Sequence, residues 1–307
     1  MPIFHMLVGL PGSGKTYYAN KHLKRENTII LSSDEIRKVL LGSEEAQWGN
    51  SIVFDTMNHA AIENLRQGRN VIYDATNINS KRRMVLLEQI KKEVKEDVFF
   101  KVTILAIPYE ICVERQQNRE RKVPEEVINR MIKNFEVPYY EEGWDEILVE
   151  NFDFNQKNYI SGCDFIKKYE NYDQNNPHHN LTLGLHVKSA VNRYNELVKS
   201  NVIKYNSLIE DALYFHDFGK PFCHTTDENR ISHYYNHNNV GAYLFLCNLY
   251  SSIMFLEREK IKIAKLIEWH MLELTEKPIK RRRIENTEYP QMLKIIQECD
   301  KYRKVDK

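Results

Sequence analysis

The feature that most constrains the fold of this chain is a glycine-rich segment near its start. Residues 9–16 read Gly-Leu-Pro-Gly-Ser-Gly-Lys-Thr, which matches the pattern G-x-x-x-x-G-K-T, and they lie between an apolar run and a helical pattern. Glycines at such a junction let backbone N–H groups surround phosphate oxygens, and the positive end of the following helix favours the same anion. The sequence therefore predicts a phosphate-binding loop between a strand and a helix, and with it an α/β fold.

Each position of this loop has an expected role. Gly12, Ser13 and Gly14 are predicted to bring the backbone close to the phosphates of ATP. Lys15 is predicted to reach the β- and γ-phosphates, and the Thr16 hydroxyl to bind Mg²⁺.

The rest of the first half agrees with this fold, because apolar runs alternate with helix-period segments. The predicted strands cover residues 3–8, 28–32, 70–74, 99–107 and 146–149. We expect an α/β P-loop domain over residues 1–150, with a mostly parallel five-stranded sheet covered on both faces.

The pattern changes after residue 150. A chain of 307 residues exceeds one comfortable hydrophobic core, so two domains are expected. Residues 151–180 are rich in Asn, Tyr, Asp and Lys and predict a linker or ordered crossover. Helical spacing then covers residues 185–199, 206–218, 238–257, 260–274 and 289–303. Residues 181–307 are therefore predicted to form an all-α domain.

The bulk composition excludes several classes of protein. Hydrophobic residues make up 42% and charged residues 28%, as in an ordinary soluble globular protein, and the formal net charge is +1. The chain therefore lacks the large positive net charge that would indicate a nucleic-acid partner. The five cysteines are scattered, which favours reduced thiols, and no apolar run approaches the length of a membrane span. A cytoplasmic location is expected.

A second motif follows the second predicted strand. Asp34 and Arg37 lie at the carboxyl edge of the expected sheet, where α/β proteins bind ligands. An aspartate there can accept the proton of an attacking hydroxyl, and an arginine one helical turn later can hold an acceptor phosphate. The alternative is an N-cap aspartate beside a surface arginine.

Four elements in order resemble the kinase domain of polynucleotide 5′-kinases, as in phage polynucleotide kinase. They are residues 9–16, Asp34-Glu35-Ile36-Arg37, Asp74-Ala75-Thr76-Asn77 with Lys81-Arg82-Arg83, and residues 115–119 with Val123-Pro124. The resemblance covers roughly residues 3–140 and implies that Asp34 is the general base. It also implies that Arg37 holds the phosphate beside the acceptor hydroxyl. Small-molecule P-loop kinases and zeta-type toxin kinases share this layout.

The same resemblance assigns the remaining residues of the first domain. It implies that Arg119 is a lid arginine acting on the transferring phosphoryl group, with Arg115 as a second candidate. Asp74 ends the apolar strand at residues 70–74, so its expected role is to orient Mg²⁺ or Thr16.

Histidines dominate the second half. Eight of the eleven lie within residues 178–270, and His216 is followed directly by Asp217 at the end of an apolar helical run. An adjacent imidazole and carboxylate can both reach one metal ion, and the second carboxylate oxygen can bridge another.

The order His186, His216-Asp217, Asp300 resembles the HD phosphohydrolase superfamily. His237 and His270 fall where two-metal members of that superfamily add ligands, and residues 216–245 are similar to the HD domain of bacterial CCA-adding tRNA nucleotidyltransferases. The resemblance implies one or two divalent ions such as Mn²⁺, Ni²⁺ or Co²⁺. Lys220 is a candidate phosphate contact, and His179 and His233 are candidate substrate contacts. The basic run Lys280-Arg281-Arg282-Arg283 is either a solvated basic face or a contact to an RNA backbone.

Together the two halves imply an RNA end-healing enzyme. One domain would phosphorylate 5′-hydroxyl ends of RNA or DNA with ATP and Mg²⁺, and the other would remove 2′,3′-cyclic or terminal phosphates. No ligase motif is visible in the sequence, so a separate ligase is the expected partner. Two alternatives remain: a small-molecule or nucleoside kinase fused to a nucleotide phosphohydrolase, and an NTP-dependent switch that gates an HD module.

Overall fold

The computed structural model describes residues 1–44, 46–151, 159–176, 180–272 and 284–302. The chain divides into two compact units. The first contains Met1–Met131 and Pro138–Asp153, and the second contains Ile132–Val137 and Phe154–Lys307. One unit is built on a parallel sheet and the other on packed helices.

The first unit contains a five-stranded parallel sheet with the order β2-β3-β1-β4-β5. The strands are β1 (Ile3–Val8), β2 (Thr28–Ser32), β3 (Asn70–Asp74), β4 (Phe99–Leu105) and β5 (Glu146–Glu150). The five predicted strands are therefore confirmed, with β4 two residues shorter and β5 one residue longer than expected. Because all five are parallel, the segments that follow β1, β2 and β3 emerge at one edge of the sheet.

Helices connect these strands. They are α1 (Lys15–Tyr18), which continues as a π-helical turn (Ala19–Leu23), α2 (Ser33–Leu41), α3 (Asn50–Arg66), α4 (Ser80–Glu93), α5 (Tyr109–Gln117) and α6 (Glu125–Lys133). Central strands are apolar without alternation: Phe4, Leu7, Val8, Val102 and Ile104 are all 0% exposed. This is the pattern of a sheet that is covered on both faces.

The second unit is mostly helical, in agreement with the sequence. Its helices are α7 (Gly162–Lys168), α8 (Leu183–Lys199), α9 (Ser207–Phe215), α10 (Lys220–Cys223), α11 (His237–Cys247), α12 (Leu249–Met254), α13 (Glu257–Trp269) and α14 (Tyr289–Asp300). The single helix expected over residues 238–257 is two helices, because Asn248 ends the first and caps the second by accepting a hydrogen bond from the backbone N–H of Tyr250.

Three features of this unit add to the sequence prediction or depart from it. A short antiparallel hairpin, β6 (Thr225–Thr226) and β7 (Ser232–His233), lies in the half predicted to lack strands. Its two-residue strands are too short to give a periodic signal in the sequence. Helix α7 lies within residues 151–180, the segment predicted to be a linker or an ordered crossover; Ser161 and Asp164 form a capping box there and Phe165 is fully buried. Residues 132–137 belong to this unit, and the ring of Phe135 packs 4.7 Å from that of Tyr243.

Two expectations about the whole chain can be compared with the described residues. All five cysteines are free thiols, and only Cys163 is exposed. Among the helices that the structure describes, none has the length and apolar character needed to cross a membrane.

Candidate functional site

The glycine-rich loop follows β1 and adopts a conformation that depends on two of its glycines. Gly12 has φ 87° and Gly14 has φ 89°, a region that L-residues with side chains rarely enter. A Cβ atom on Gly12 would lie 2.3 Å from the carbonyl oxygen of Cys112. Ser13 between them is 1% exposed. The predicted loop therefore forms, and Gly12 is fixed by packing as well as by its backbone angle.

Lys15 and Thr16 begin α1 directly after this loop. The Lys15 ammonium donates hydrogen bonds to the carbonyl oxygens of Gly9 (3.0 Å) and Leu10 (2.8 Å). The Thr16 hydroxyl donates to Oδ2 of Asp74 at 2.7 Å, so the expected contact between these two residues is present. Burial lowers the pKa of Lys15, although the carboxylate of Asp74 opposes this shift. Burial raises the pKa of Asp74, against the effect of Lys15.

Asp34 and Arg37 occupy the start of α2 at the same edge of the sheet. Arg37 Nη1 donates to Asp34 Oδ1 at 2.8 Å, and Arg37 Nη2 donates to Asn50 Oδ1 at 2.9 Å. The cap of α2 is Ser32, and Arg37 is 5% exposed, so the alternative of a capping aspartate beside a surface arginine is wrong. Within the described residues, Arg37 Nε has no hydrogen-bond partner.

Three arginines follow α5 or lie near its end. Arg115 Nη1 lies 3.9 Å from the position of a Cβ atom on Gly14, and the charge of Arg119 acts on both Lys15 and Asp74. Arg121 is not among the residues predicted for this site, yet its Nη1 lies 3.0 Å from Asp34 Oδ2. In the sequence Arg121 is one of several basic residues in a short polar run, and nothing there distinguishes it from a solvated charge.

Arg83, which belongs to one of the elements that resemble polynucleotide 5′-kinases, has a structural role. Its side chain is 1% exposed and donates two hydrogen bonds to the Glu142 carboxylate, at 2.9 and 2.6 Å, and one to the carbonyl of Asn77 at 2.8 Å. Trp144 and Ser80 also donate to Glu142. This buried pair ties α4 to the segment before β5.

The second unit brings together the six side chains that the sequence proposed as metal ligands. They come from five different elements: His186 (α8), His216 and Asp217 (after α9), His237 (α11), His270 (after α13) and Asp300 (α14). The side chains of His186, His216 and Asp217 are at most 3% exposed, that of His237 is 11% exposed and that of Asp300 is 25% exposed, while residue His270 is 2% exposed. Residues separated by up to 114 positions thus converge only through folding.

The ligand atoms form two groups that share Asp217. In the first, Nε2 of His186 lies 3.2 Å from Nε2 of His216 and 2.9 Å from Oδ1 of Asp300. In the second, Nε2 of His237 lies 3.3 Å from Nε2 of His270 and 3.2 Å from Oδ1 of Asp217. The other oxygen, Asp217 Oδ2, lies 3.3 Å from His186 and 3.4 Å from His216. One carboxylate therefore faces both groups.

The backbone sets the orientation of three of the imidazole rings. Nδ1 of His216 lies 2.7 Å from the carbonyl oxygen of Leu213, and Nδ1 of His270 lies 2.7 Å from that of Ile267. Nδ1 of His237 lies 2.8 Å from the carbonyl oxygen of Tyr234. A carbonyl can only accept, so each Nδ1 carries a proton, and in the neutral ring, which is the form that binds a metal, Nε2 directs its lone pair into the centre. This is the arrangement that imidazole ligands of metals require.

The charged groups of the centre also favour the binding of a cation. Burial alone would raise the pKa of Asp217, but Lys220 and His216 hold it well below its usual range. Burial opposes protonation of His216, yet Asp217 and Asp300 raise its pKa to about 9. Burial lowers the pKa of His270 to about 3. The carboxylates of Asp217 and Asp300 thus attract positive charge to the space between the Nε2 atoms of the histidines.

A divalent ion fits the residues of this centre. Among the described residues, Asp217 Oδ2 accepts no well-directed hydrogen bond, although Lys220 Nζ lies 2.7 Å away. Imidazole nitrogen and carboxylate oxygen together suit Mn²⁺, Co²⁺, Ni²⁺, Fe²⁺ or Zn²⁺. Ligand atoms that each lie about 2.0–2.2 Å from a common ion are separated by roughly 3 Å. The ligand-atom distances given above within each group, 2.9 to 3.3 Å, agree with this separation.

Two further residues support this centre and were missed from the sequence. The Gln174 side chain is 0% exposed and its Oε1 accepts a 2.8 Å hydrogen bond from Lys220 Nζ. The Tyr234 hydroxyl donates to the Gln174 carbonyl at 2.8 Å.

His233 lies on β7, where its Nε2 is 3.1 Å from Asp227 Oδ2. His179 and Lys280-Arg281-Arg282-Arg283 lie outside the described residues.

Comparisons with known proteins concern mainly the first unit. Residues 4–138 match the family model described as AAA domain. The L-seryl-tRNA(Sec) kinase of Methanococcus maripaludis is 32% identical over an alignment of 162 residues that covers 49% of this chain. The chain spans 61% of the length of that curated relative.

Two solved structures resemble part of the chain. The Pnkp1/Rnl/Hen1 RNA repair complex contains a chain with 25% identity and a TM-score of 0.36, covering 43% of each chain. A gluconokinase from Sinorhizobium meliloti shows 14% identity and a TM-score of 0.33, covering 48% of this chain and 81% of the other. The first unit is thus a P-loop α/β domain with a five-stranded parallel sheet.

Proposed function

We propose that this chain is a bifunctional RNA end-healing enzyme. Its first unit transfers a phosphoryl group from ATP to the 5′-hydroxyl of a polynucleotide, and its second unit removes 2′,3′-cyclic or terminal phosphates with the help of divalent metal ions. The observation that carries the proposal is the presence of two separately assembled phosphate-directed sites. One places Asp34 and two arginines at the edge of the sheet that holds the P-loop, and the other gathers six metal-ligand side chains.

Phosphoryl transfer requires few groups beyond those at the first site. When bound, ATP with Mg²⁺ supplies the γ-phosphoryl group and a cation that neutralises its charge. Asp34 accepts the proton of the attacking hydroxyl, and its side chain is 53% exposed and therefore accessible to an acceptor. Arg37 holds Asp34 in place, and its buried Nε, which has no partner among the described residues, is the donor that an acceptor phosphate would have to reach. Arg119 stabilises the transferring group, and Thr16 is oriented by Asp74.

Two observations favour an acceptor that is larger than a sugar. The curated relative is a kinase of seryl-tRNA, so its acceptor hydroxyl is attached to RNA. Arg37 Nε lies beside the candidate base, is closed to solvent and has no partner among the described residues; a phosphate that neighbours the acceptor hydroxyl would satisfy this donor on entering the site. The similarity also supports a second candidate, which is phosphorylation of the seryl group of an aminoacyl-tRNA.

Hydrolysis at the second site follows from the arrangement of its ligands. When bound, one or two divalent ions would polarise a phosphoryl oxygen and lower the pKa of a bound water. His186, His216 and Asp300 would hold one ion, His237 and His270 the other, and Asp217 would face both. Lys220 keeps Asp217 ionised and carries a positive charge at the edge of the phosphate site. The buried rings exclude bulk water from the centre.

The two activities together repair one type of break. Nucleases that leave a 2′,3′-cyclic phosphate and a 5′-hydroxyl create ends that cannot be joined until both are changed. An enzyme with both sites would deliver a free 3′ end and a 5′-phosphate to a separate ligase. RNA is the expected substrate because only RNA forms a 2′,3′-cyclic phosphate.

One substrate can test the whole proposal. The purified chain is incubated with ATP, Mg²⁺ and Mn²⁺ and a 5′-hydroxyl RNA that ends in a 2′,3′-cyclic phosphate, and both ends are read by mass spectrometry. We expect Lys15→Ala to lose only the 5′-phosphorylation and Asp217→Asn to lose only the 3′-end reaction. Seryl-tRNA and a free nucleoside are offered in parallel. If the chain phosphorylates either of these and not the RNA end, the assignment of the acceptor is wrong. A switch would hydrolyse ATP without modifying any acceptor.

A further inference from the structure

Two aromatic rings lie stacked at the surface of the second unit. His233 ends β7 and Tyr235 follows two residues later, and their ring centroids are 5.3 Å apart with planes inclined by only 5°. Tyr235 is 71% exposed. In such a parallel offset stack each ring covers one face of the other, so the outer face of the exposed Tyr235 ring is left open to a further flat ring. We call this pair the Tyr235–His233 platform.

The platform is held in place before any ligand arrives. Nε2 of His233 lies 3.1 Å from Asp227 Oδ2, and the Tyr235 hydroxyl lies 3.4 Å from His233 Nδ1. Asp227 is itself fixed, because its Oδ1 accepts hydrogen bonds from the backbone N–H groups of Asn229 and Ile231, both at 2.9 Å. A ring that is already oriented loses little conformational freedom when a partner stacks on it.

The platform is also joined directly to the metal centre. Tyr234, the residue between its two rings, accepts the 2.8 Å hydrogen bond from Nδ1 of the metal-ligand candidate His237 on its carbonyl oxygen. Adjacent Cα atoms are about 3.8 Å apart, so Tyr235 lies one residue from the group that orients His237. The Tyr234 hydroxyl reaches the carbonyl of Gln174, whose side chain accepts from Lys220. Tyr234 thus lies between the two platform residues, orients the candidate ligand His237, and contacts Gln174, the hydrogen-bond partner of Lys220.

We propose that the Tyr235–His233 platform binds the nucleobase of the ribonucleotide whose phosphate is hydrolysed at the metal centre. This inference rests on the proposed phosphohydrolase function and names the substrate class of that site. A phosphate has no flat face to recognise, whereas each nucleobase presents a π-face on which aromatic side chains stack. Because stacking needs no particular hydrogen-bond pattern, the platform accepts all four bases and selects nucleotides over other phosphate esters.

The test compares two substrates that differ only in the base. The Mn²⁺-loaded chain is assayed with adenosine 2′,3′-cyclic phosphate and with ribose 2′,3′-cyclic phosphate. We expect the wild type to prefer the adenosine compound in kcat/KM, and Tyr235→Ala to reduce that preference about tenfold, mostly through KM, which is the size of one base–aromatic stack. Tyr235→Trp should keep the preference. Tyr205→Ala removes another exposed tyrosine of the same unit, 60% exposed and bonded to Glu210, and serves as the matched control.

The outcomes separate this inference from the function on which it rests. If Tyr235→Ala changes both substrates equally or neither, the platform does not bind the base. If the wild type hydrolyses neither substrate, the phosphohydrolase proposal fails, and calorimetry with 3′-AMP and ribose 3-phosphate then decides the platform. Tighter binding of 3′-AMP that Tyr235→Ala removes would support it, and equal binding of the two ligands would overturn it.

Discussion

Oδ2 of Asp34 lies 3.0 Å from Nη1 of Arg121, while Arg37 occupies Oδ1 of the same carboxylate. A general base must offer one of these oxygens to the acceptor hydroxyl. Arg37 is almost fully buried and held by Asn50, whereas the Arg121 side chain is 26% exposed and divides its contacts between Asp34 and Glu44. Under the proposed function we therefore expect an incoming acceptor to displace Arg121 rather than Arg37 from Asp34.

This relationship predicts different effects for two neighbouring arginines. Arg121→Gln should leave kcat for 5′-phosphorylation within about threefold of wild type, because a half-exposed ion pair contributes little free energy. Arg119→Ala should lower kcat about a hundredfold if Arg119 has its proposed role of stabilising charge on the transferring group. Steady-state rates with saturating ATP check both. If Arg121→Gln loses as much activity as Arg119→Ala, Arg121 acts directly on the reacting groups.

A second prediction concerns the loop glycines and has a built-in control. Gly12 and Gly42 both have positive φ, 87° and 75°, but a Cβ on Gly12 would meet the Cys112 carbonyl at 2.3 Å whereas one on Gly42 would have no atom within 4 Å. Gly42→Ala should cost about 1 kcal/mol in the free energy of unfolding, from the backbone angle alone. Gly12→Ala should cost at least about 2 kcal/mol more and abolish ATP binding. Urea titration and nucleotide binding measure the two effects, and equal losses would show that the contact with Cys112 is not limiting.

Much of the first unit could be predicted because its signals are local. The strands at residues 3–8, 28–32 and 70–74 are short apolar runs bounded by polar segments. The glycines of residues 9–16 indicate where the backbone of the loop takes positive φ values. Asp74 could be placed by combining two such signals. It ends a buried strand that lies beside β1, so its carboxylate was expected next to the loop that follows β1, and it accepts a hydrogen bond from Thr16 there.

The contacts that sequence alone could not give are those made by ordinary residue types. Arg121 resembles any solvated basic residue until the loop after α5 brings it to Asp34. Gln174 lies in a polar stretch that predicted a linker, yet it is buried against Lys220. The orientation of His237 depends on a backbone carbonyl, which has no signature in residue type. Such contacts follow from the packing of several elements at once.

Asp211 on α9 provides a prediction about pH. Burial, with help from Glu210 and Glu259, raises its pKa to about 7 from an unfolded value near 3.8. The folded state therefore binds more protons than the unfolded state between these values, and its stability falls as the pH rises through this window. Asp211→Asn should raise the free energy of unfolding at pH 8 by about 1–2 kcal/mol, after allowance for partial exposure, and by roughly a third of that at pH 5, which lies only about one unit above the unfolded pKa.

Thermal denaturation at the two pH values measures this difference. Glu228→Gln, which removes an exposed carboxylate from the turn between β6 and β7, controls for the loss of one negative charge. An Asp211→Asn variant that is less stable than wild type at pH 8 would contradict the prediction.

The metal centre allows a prediction that does not depend on catalysis. The two ligand groups, His186-His216-Asp300 and Asp217-His237-His270, predict that the wild type binds about two equivalents of Mn²⁺ per chain. His237→Ala should bind about one equivalent, whereas His59→Ala, which removes an exposed histidine from α3, should still bind two. Metal bound to the folded chain should also raise its stability, by roughly 2.7 kcal/mol at a free concentration of about 100 times Kd.

Metal analysis after dialysis and melting curves with and without a chelator measure these expectations. Chelation should lower Tm in the wild type and much less in His216→Ala, and Mn²⁺, Co²⁺ or Ni²⁺ should restore it better than Mg²⁺, because imidazole nitrogen favours those ions. Phosphorylation assayed with Mg²⁺ should survive in both histidine variants, since the first site shares no residue with this centre. One equivalent in the wild type would leave Asp217 as a ligand of a single ion. A wild type that binds no metal, and whose Tm is unchanged by a chelator, would show that the six side chains are held by protons and Lys220 alone.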